Sequence, residues 1–175
     1  MTAMIGQGVS RTESSSGTGK PVQHLHQELH LPHPVEKVWA AVATPEGLPG
    51  WLAAADVFEP RLGGAVSLRW LNGDEAATHS GHITAWDPER VAEYTIDLHG
   101  RCRFHLEAAH AQAQATTLRF TNEFAGDDEL RLDCLAGWHN HFEFLVDALD
   151  GRPKDWSTWS LGRWNELRHA YGQSE

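Results

Sequence analysis

Residues 137–151 read GWHNHFEFLVDALDG, and the fold turns on how this stretch is understood. His139, His141 and Glu143 alternate as metal ligands on a strand would, while the apolar residues follow a helical rhythm. An α-helix advances about 100° per residue, so residues two apart point in nearly opposite directions. On that wheel Leu135, Trp138, Phe142, Leu145 and Leu149 form one stripe with the spacing of a buried face. His139, Asn140, Glu143, Asp147 and Asp150 fall opposite it, and His139 and Glu143 are placed to pair across one turn. His139 and His141 therefore cannot hold one ion from a single helix, and no metal is expected. His141 is the exception to the polar face, because it projects toward the apolar stripe between Trp138 and Leu145.

Working outward, the 175-residue chain is 41% hydrophobic with eight tryptophans, enough for one domain with a sizeable core. A net charge of −10 repels a phosphate backbone, which argues against nucleic acid as a partner. Two cysteines, Cys102 and Cys134, do not make a secreted disulfide framework. No apolar run approaches the roughly 20 residues of a membrane span, and the first residues lack a signal peptide's apolar segment. The expectation is a cytoplasmic protein with no membrane partner.

Residues 1–21 are small and polar and read as a flexible tail. The Gly-Thr-Gly-Lys within them is not a phosphate loop. The glycine required upstream is Ser14, Pro21 stands where Ser or Thr should follow the lysine, and no strand is expected before it. From Val22 the pattern alternates: Leu25, Gln27, Leu29 and Leu31 on one side, His24, His26, Glu28 and His30 on the other. That is a half-buried strand. His24 and His26 share a face about 7 Å apart, which suits a metal geometrically, but a solvated strand face accounts for them.

Pro34 then opens a helix carrying Val35, Val38 and Val42, and Thr44-Pro45 ends it. Short strands are predicted at about 54–59, 64–71, 80–86, 91–98, 101–109 and 115–124. The breaks are Gly63-Gly64, Asn72-Gly73-Asp74, Asp87-Pro88, His99-Gly100 and a loop near His110, each short enough for an antiparallel hairpin. One face takes Val66, Leu68, Trp70, Tyr94, Ile96, Leu98, Cys102, Phe104, Leu106, Leu118, Phe120, Asn122 and Phe124. The long helix runs from about Asp128 to Asp150, stopped by Gly151 and Pro153. Residues 22–151 thus form an α+β domain, and 152–175 an extension with a second stripe of Leu161, Trp164, Leu167 and Tyr171. A sheet curled around a long helix leaves room for an apolar cavity.

At this point the sequence resembles the START-like, or SRPBCC, superfamily. The closest branch is the one named after the C-terminal domain of the heat-shock-protein-90 ATPase activator. The marks are Pro34, Val38 and Trp39, then Thr44-Pro45-Glu46 with Trp51. The Gly63-Gly64 pair, Gly81-x-Ile83 running into Asp87-Pro88, and Gly137-Trp138 follow in order. The resemblance covers about residues 23–150. It implies a helix-grip fold, as in the birch-pollen allergen: a curved seven-stranded antiparallel sheet around a C-terminal helix, enclosing an apolar cavity. It carries over no shared catalytic motif and no cofactor; members bind lipids, hormones or polyketides, and some cyclise polyketides.

The expected ligand-binding set is Trp39, Trp51, Trp70, Phe104, Phe120, Asn122, Arg131, Trp138 and His141. Arg131 would hold a carboxylate at the cavity mouth. His141 is a candidate acid or base, or else a satisfied structural histidine. Three functions stand side by side. The first is binding of a small, largely apolar molecule. The second is a cyclase-, dehydrase- or hydrolase-like enzyme using His141, and the third a protein-interaction module of the co-chaperone kind. A cavity with paired polar groups favours the enzyme; a filled core favours docking. The extension docks either on its own domain or against a second copy in a homodimer.

Overall fold

The computed structural model describes residues 2–14, 17, 19–73, 77–109 and 114–173. Asp74 and the loop near His110 lie outside them. The expected strand from Val22 is β3 (Val22–Leu31), whose alternation buries Gln23, Leu25, Gln27, Leu29 and Leu31. Helix α1 (Val35–Val42) follows, burying Val38 and Val42, with Glu36 in the first turn where a helix favours negative charge. Thr44 ends it: its hydroxyl donates to the Ala40 carbonyl at 2.6 Å and accepts the Gly47 N–H at 3.0 Å. Trp51 Nε1 and the Tyr94 hydroxyl donate to the Ala41 and Val42 carbonyls, satisfying groups the helix end leaves open.

Six strands succeed it: β4 (Ala53–Phe58), β5 (Ala65–Trp70), β6 (Thr78–Asp87), β7 (Val91–Ile96), β8 (Gly100–Ala108) and β9 (Thr116–Ala125). Each pairs antiparallel with the next, and β9 closes back on β3. Bulges between Ala55 and Val57 and between Ile83 and Ala85 shift the register, as required where a sheet bends. A Cβ on Gly81 would lie 1.9 Å from the Thr95 carbonyl oxygen, so the β6–β7 approach excludes any side chain there.

Helix α2 (Asp128–Leu149) is capped by Asp127, whose carboxylate accepts the Leu130 N–H. It lays Leu135, Phe142, Leu145 and Leu149 against the sheet. This is the α+β helix-grip arrangement, a curved antiparallel sheet with a long helix across it.

Three expectations need correction. The tail is not all unstructured: β1 (Met4–Ile5) and β2 (Val9–Glu13) pair with β3, so two strands join the seven expected. A small polar stretch can add to a sheet edge because the edge offers unpaired backbone groups, whatever its side chains. Leu98 does not face the core; it sits in the β7–β8 turn with φ 69° and is 82% exposed. Asn140 is buried instead of solvated, because the extension covers that side of α2.

The extension comprises a 3-10 turn (Trp156–Thr158) and α3 (Gly162–Gln173), which buries Leu167 and Tyr171. Leu161 remains 53% exposed, just ahead of the helix. Arg163 pairs with Glu143 at 2.7 Å, Arg168 pairs with Asp133 and Glu129, and Trp164 Nε1 donates to the Asp133 carbonyl.

Candidate functional site: an indole–imidazole cluster at one end of the sheet

Between sheet and α2, the space expected to be a cavity is filled by rings. Trp51, Phe104, Phe120, Trp138 and Phe142 meet with centroids 4.3–6.3 Å apart, in tilted, stacked and edge-on pairs. Such pairs add about 0.5–1.5 kcal/mol each beyond their buried area. Trp39 lies at the far end of the same core, packing on Trp86 at 5.0 Å, with Phe58 and Tyr94 linking that pair to Phe104.

Polar groups gather where this ring cluster ends. Asn122 in β9 is buried, and its amide Nδ2 donates to the carbonyls of His99 and Arg101. Its Oδ1 accepts the Trp138 indole N–H at 3.0 Å. His99, in the β7–β8 turn, lies 4.6 Å from the Trp70 ring and 4.8 Å from His79, centroid to centroid. Trp70 Nε1 donates to His79 Nδ1 at 2.8 Å, and His99 Nε2 stands 3.3 Å from that same Nδ1. Trp70, His79, His99 and Trp138 are each half-buried.

The chemistry follows from the indole. An indole N–H only donates, so His79 Nδ1 accepts and the His79 proton sits on Nε2. His99 Nε2 must then donate to the same lone pair, leaving His99 Nδ1 as a bare acceptor. Burial, with the second imidazole beside it, pushes His99 down to about 4, so it is uncharged at neutral pH. Cys102 beside Asn122 is pushed up by burial and stays a thiol. The cluster therefore presents neutral hydrogen-bonding groups at the end of an apolar interior.

Of the expected ligand-binding residues, the structure brings together Trp51, Phe104, Phe120 and Trp138, then Asn122 and Trp70 through the histidines. It does not bring Arg131 or His141 to them. Arg131 is 4% exposed, its guanidinium bonded to Asp128 and the Ser10 hydroxyl, because β2 lies over the start of α2. His141 packs against Phe144 and Trp156 on the flank of α2 under the extension, its Nδ1 bonded to the Gly137 carbonyl. The wheel placed it near the apolar stripe; the extension supplies a second apolar layer on that flank.

His79 and His99 were missed in the sequence. His79 is in phase with Gly81 and Ile83 on the inward face of β6, a signal that was available. His99 sits in a turn, where periodicity says nothing.

Surface clefts lie elsewhere among the described residues. One of about 390 Å³ crosses β2, β3, β8 and β9, lined by Arg11, His24, His26, Arg101 and Glu123. His24 there is engaged by Glu13 and Glu123, and no three metal-ligating side chains among the described residues are placed to hold one ion. Another, of about 350 Å³, separates α2 from the extension. No described helix is long and apolar enough to cross a membrane.

Fold and core define a START-like domain, and comparison with known proteins places it further. Residues 32–150 match the family described as activator of Hsp90 ATPase homolog 1-like protein, and the chain belongs to that family. No curated protein matches the sequence. Among solved structures it is similar to CalU16 from Micromonospora echinospora, with TM-score 0.64 and 16% identity over 95% of this chain and 96% of that one. It is also similar to a conserved protein of unknown function from Enterococcus faecalis, with TM-score 0.65 and 14% identity over 94% and 89%. The Aha1 dimer from Colwellia psychrerythraea superposes with TM-score 0.57 and 19% identity over 72% and 95%. At these identities the likeness is one of fold.

Proposed function

We propose that the chain binds a small, largely apolar molecule at the end of the sheet where Trp70, His79, His99, Asn122 and Trp138 meet. The observation that carries this reading is the half-exposed Trp70–His79–His99 chain, which ends an otherwise apolar, aromatic interior. Ligand sites are mostly apolar walls with a few placed polar groups. The acceptor on His99 and the donor on His79 suit a neutral hydroxyl or amide on an apolar body.

A second reading, docking of a partner protein, is favoured by the ring-filled interior, which leaves little room for a ligand without side-chain movement. Support for self-pairing comes from the Colwellia psychrerythraea protein, whose structure is that of a dimer. An enzyme acting through His141 has less support, because that imidazole faces the extension.

Fluorescence titration of the full chain with naphthol, an apolar body bearing one hydroxyl, tests the first reading. Saturable binding weakened at least tenfold by His99→Ala, in a variant that still folds, supports it. Absent binding, or binding indifferent to His99→Ala, contradicts it.

A further inference from the structure

His139 and His141 are two apart on α2 and diverge, yet both end beneath the C-terminal extension. His139 meets α3: its Nδ1 lies 2.8 Å from the Tyr171 hydroxyl, with the two rings edge to face. That hydroxyl also accepts the Gly8 N–H at 2.9 Å, and it is the donor to His139 because a second donor occupies the same side of the imidazole. Gln27 Nε2 also points at His139 Nδ1, at 3.2 Å, and its amide orientation is fixed by donation to the Gly6 carbonyl. Two donors thus converge on one nitrogen, which has to be a bare lone pair.

His141 meets the 3-10 turn. Its ring lies 6.0 Å from Trp156 and 5.5 Å from Phe144. Its Nδ1 donates to the Gly137 carbonyl at 2.8 Å, so Nε2 is the acceptor, and that Nε2 is buried with no partner among the described residues. Trp156 in turn is anchored to the body by its indole N–H on the Pro49 carbonyl, and Lys154 N–H reaches Gly50.

We propose that residues 152–173, tied by Tyr171 to Gly8 just ahead of β2, form a displaceable clasp on α2 whose closed state requires both His139 and His141 to be uncharged. A proton on His139 Nδ1 would face the Gln27 amide donor and reverse the Tyr171 bond. A proton on His141 Nε2 would bury a charged N–H among Phe144 and Trp156 with no acceptor. The charged groups facing His139 are Glu143 on its own helix and Arg163 from α3, the first favouring the cation and the second opposing it. Among the described residues no charged side chain bears on His141; burial disfavours its cation and the Gly137 carbonyl favours it.

The sign is that of a group depressed in the closed state. Above the ordinary histidine value of about 6.5 the clasp has its full stability; below it the open state takes up protons that the closed state refuses. His141 is pushed down to about 4, so its contribution is lost between those two values. The open fraction then rises up to about tenfold per pH unit for each histidine.

Hydrogen exchange of the full chain, corrected for the intrinsic pH dependence of exchange, reads that fraction directly. Between pH 6.5 and 5, the amides of α3 and 156–159 should lose about tenfold or more of their protection, while those of β7–β9 change less. The double variant His139→Asn/His141→Asn keeps an uncharged amide near each Nδ1 position and should abolish the pH dependence. Because that variant could fold poorly, ¹⁵N spectra of the parent's imidazoles are the second readout. The closed state should show the His139 proton on Nε2 and the His141 proton on Nδ1. Protection that is flat with pH, a double variant that retains the dependence, or imidazoles that titrate near 6.5 with the clasp still protected would each overturn the proposal.

Discussion

The Trp138 indole donates to Asn122 Oδ1 at 3.0 Å, tying the core face of α2 to β9 through a single polar bond amid aromatic rings. Asn122 at the same time holds the carbonyls of His99 and Arg101, so one side chain fixes helix, sheet and the β7–β8 turn. Asn122→Leu should therefore cost about 1–3 kcal/mol for each buried polar group it strands. Chemical denaturation measures it. In a double-mutant cycle with Trp138→Phe the costs should be non-additive by about 0.5–3 kcal/mol, and strict additivity would mean the bond is not formed.

Leu145 has no exposed surface and sits in the same core cluster as Phe142 and Leu149. Leu145→Ala should destabilise the fold by roughly 2–5 kcal/mol through lost contacts and a residual cavity. A cost below about 1 kcal/mol in denaturant would show that α2 borders open space instead of packed side chains.

Removing the extension after Arg152 exposes the surface that Leu167 and Tyr171 cover and breaks the Arg163–Glu143 and Arg168–Asp133 pairs. Each large apolar side chain contributes about 1.5–3 kcal/mol when buried, and surface ion pairs add little. The truncated protein should melt several degrees lower with unchanged sedimentation. A dimer lost on truncation would instead show that α3 packs on a second copy.

His99 is depressed to about 4 by burial and by His79, so folding favours its neutral form. Its stabilising contribution is complete above the ordinary histidine value near 6.5 and declines as pH falls toward 4. Stability against urea should accordingly fall across that window, and His99→Gln should shallow the slope. An unchanged slope in the variant would remove His99 from the account.

Much of the fold was legible in the residues. The alternation from Val22 and the helical stripe from Leu135 to Leu149 each bury one face, and burial writes its period into sequence. The strands β1 and β2 were not legible, because Ser10, Arg11 and Thr12 join the sheet through backbone groups that every residue carries. Nor was the fate of His141, since a wheel gives a direction from one helix but cannot say that Trp156 lies along it. Asn122 stood out as the polar member of an apolar series. Its partner His99 could not, because a turn residue has no periodic neighbours to contrast with.

The claim of a binding site at the Trp70–His99 cluster is tested most directly by the indole N–H signals of the eight tryptophans in a ¹⁵N-correlated NMR titration with naphthol. The indoles of Trp70 and Trp138 donate within the cluster, while those of Trp156 and Trp164 are bonded under the extension. Saturable shifts at Trp70 and Trp138, with Trp156 and Trp164 unmoved, are the predicted result. Shifts confined to Trp156 and Trp164, or no saturable shift at any indole, would contradict it.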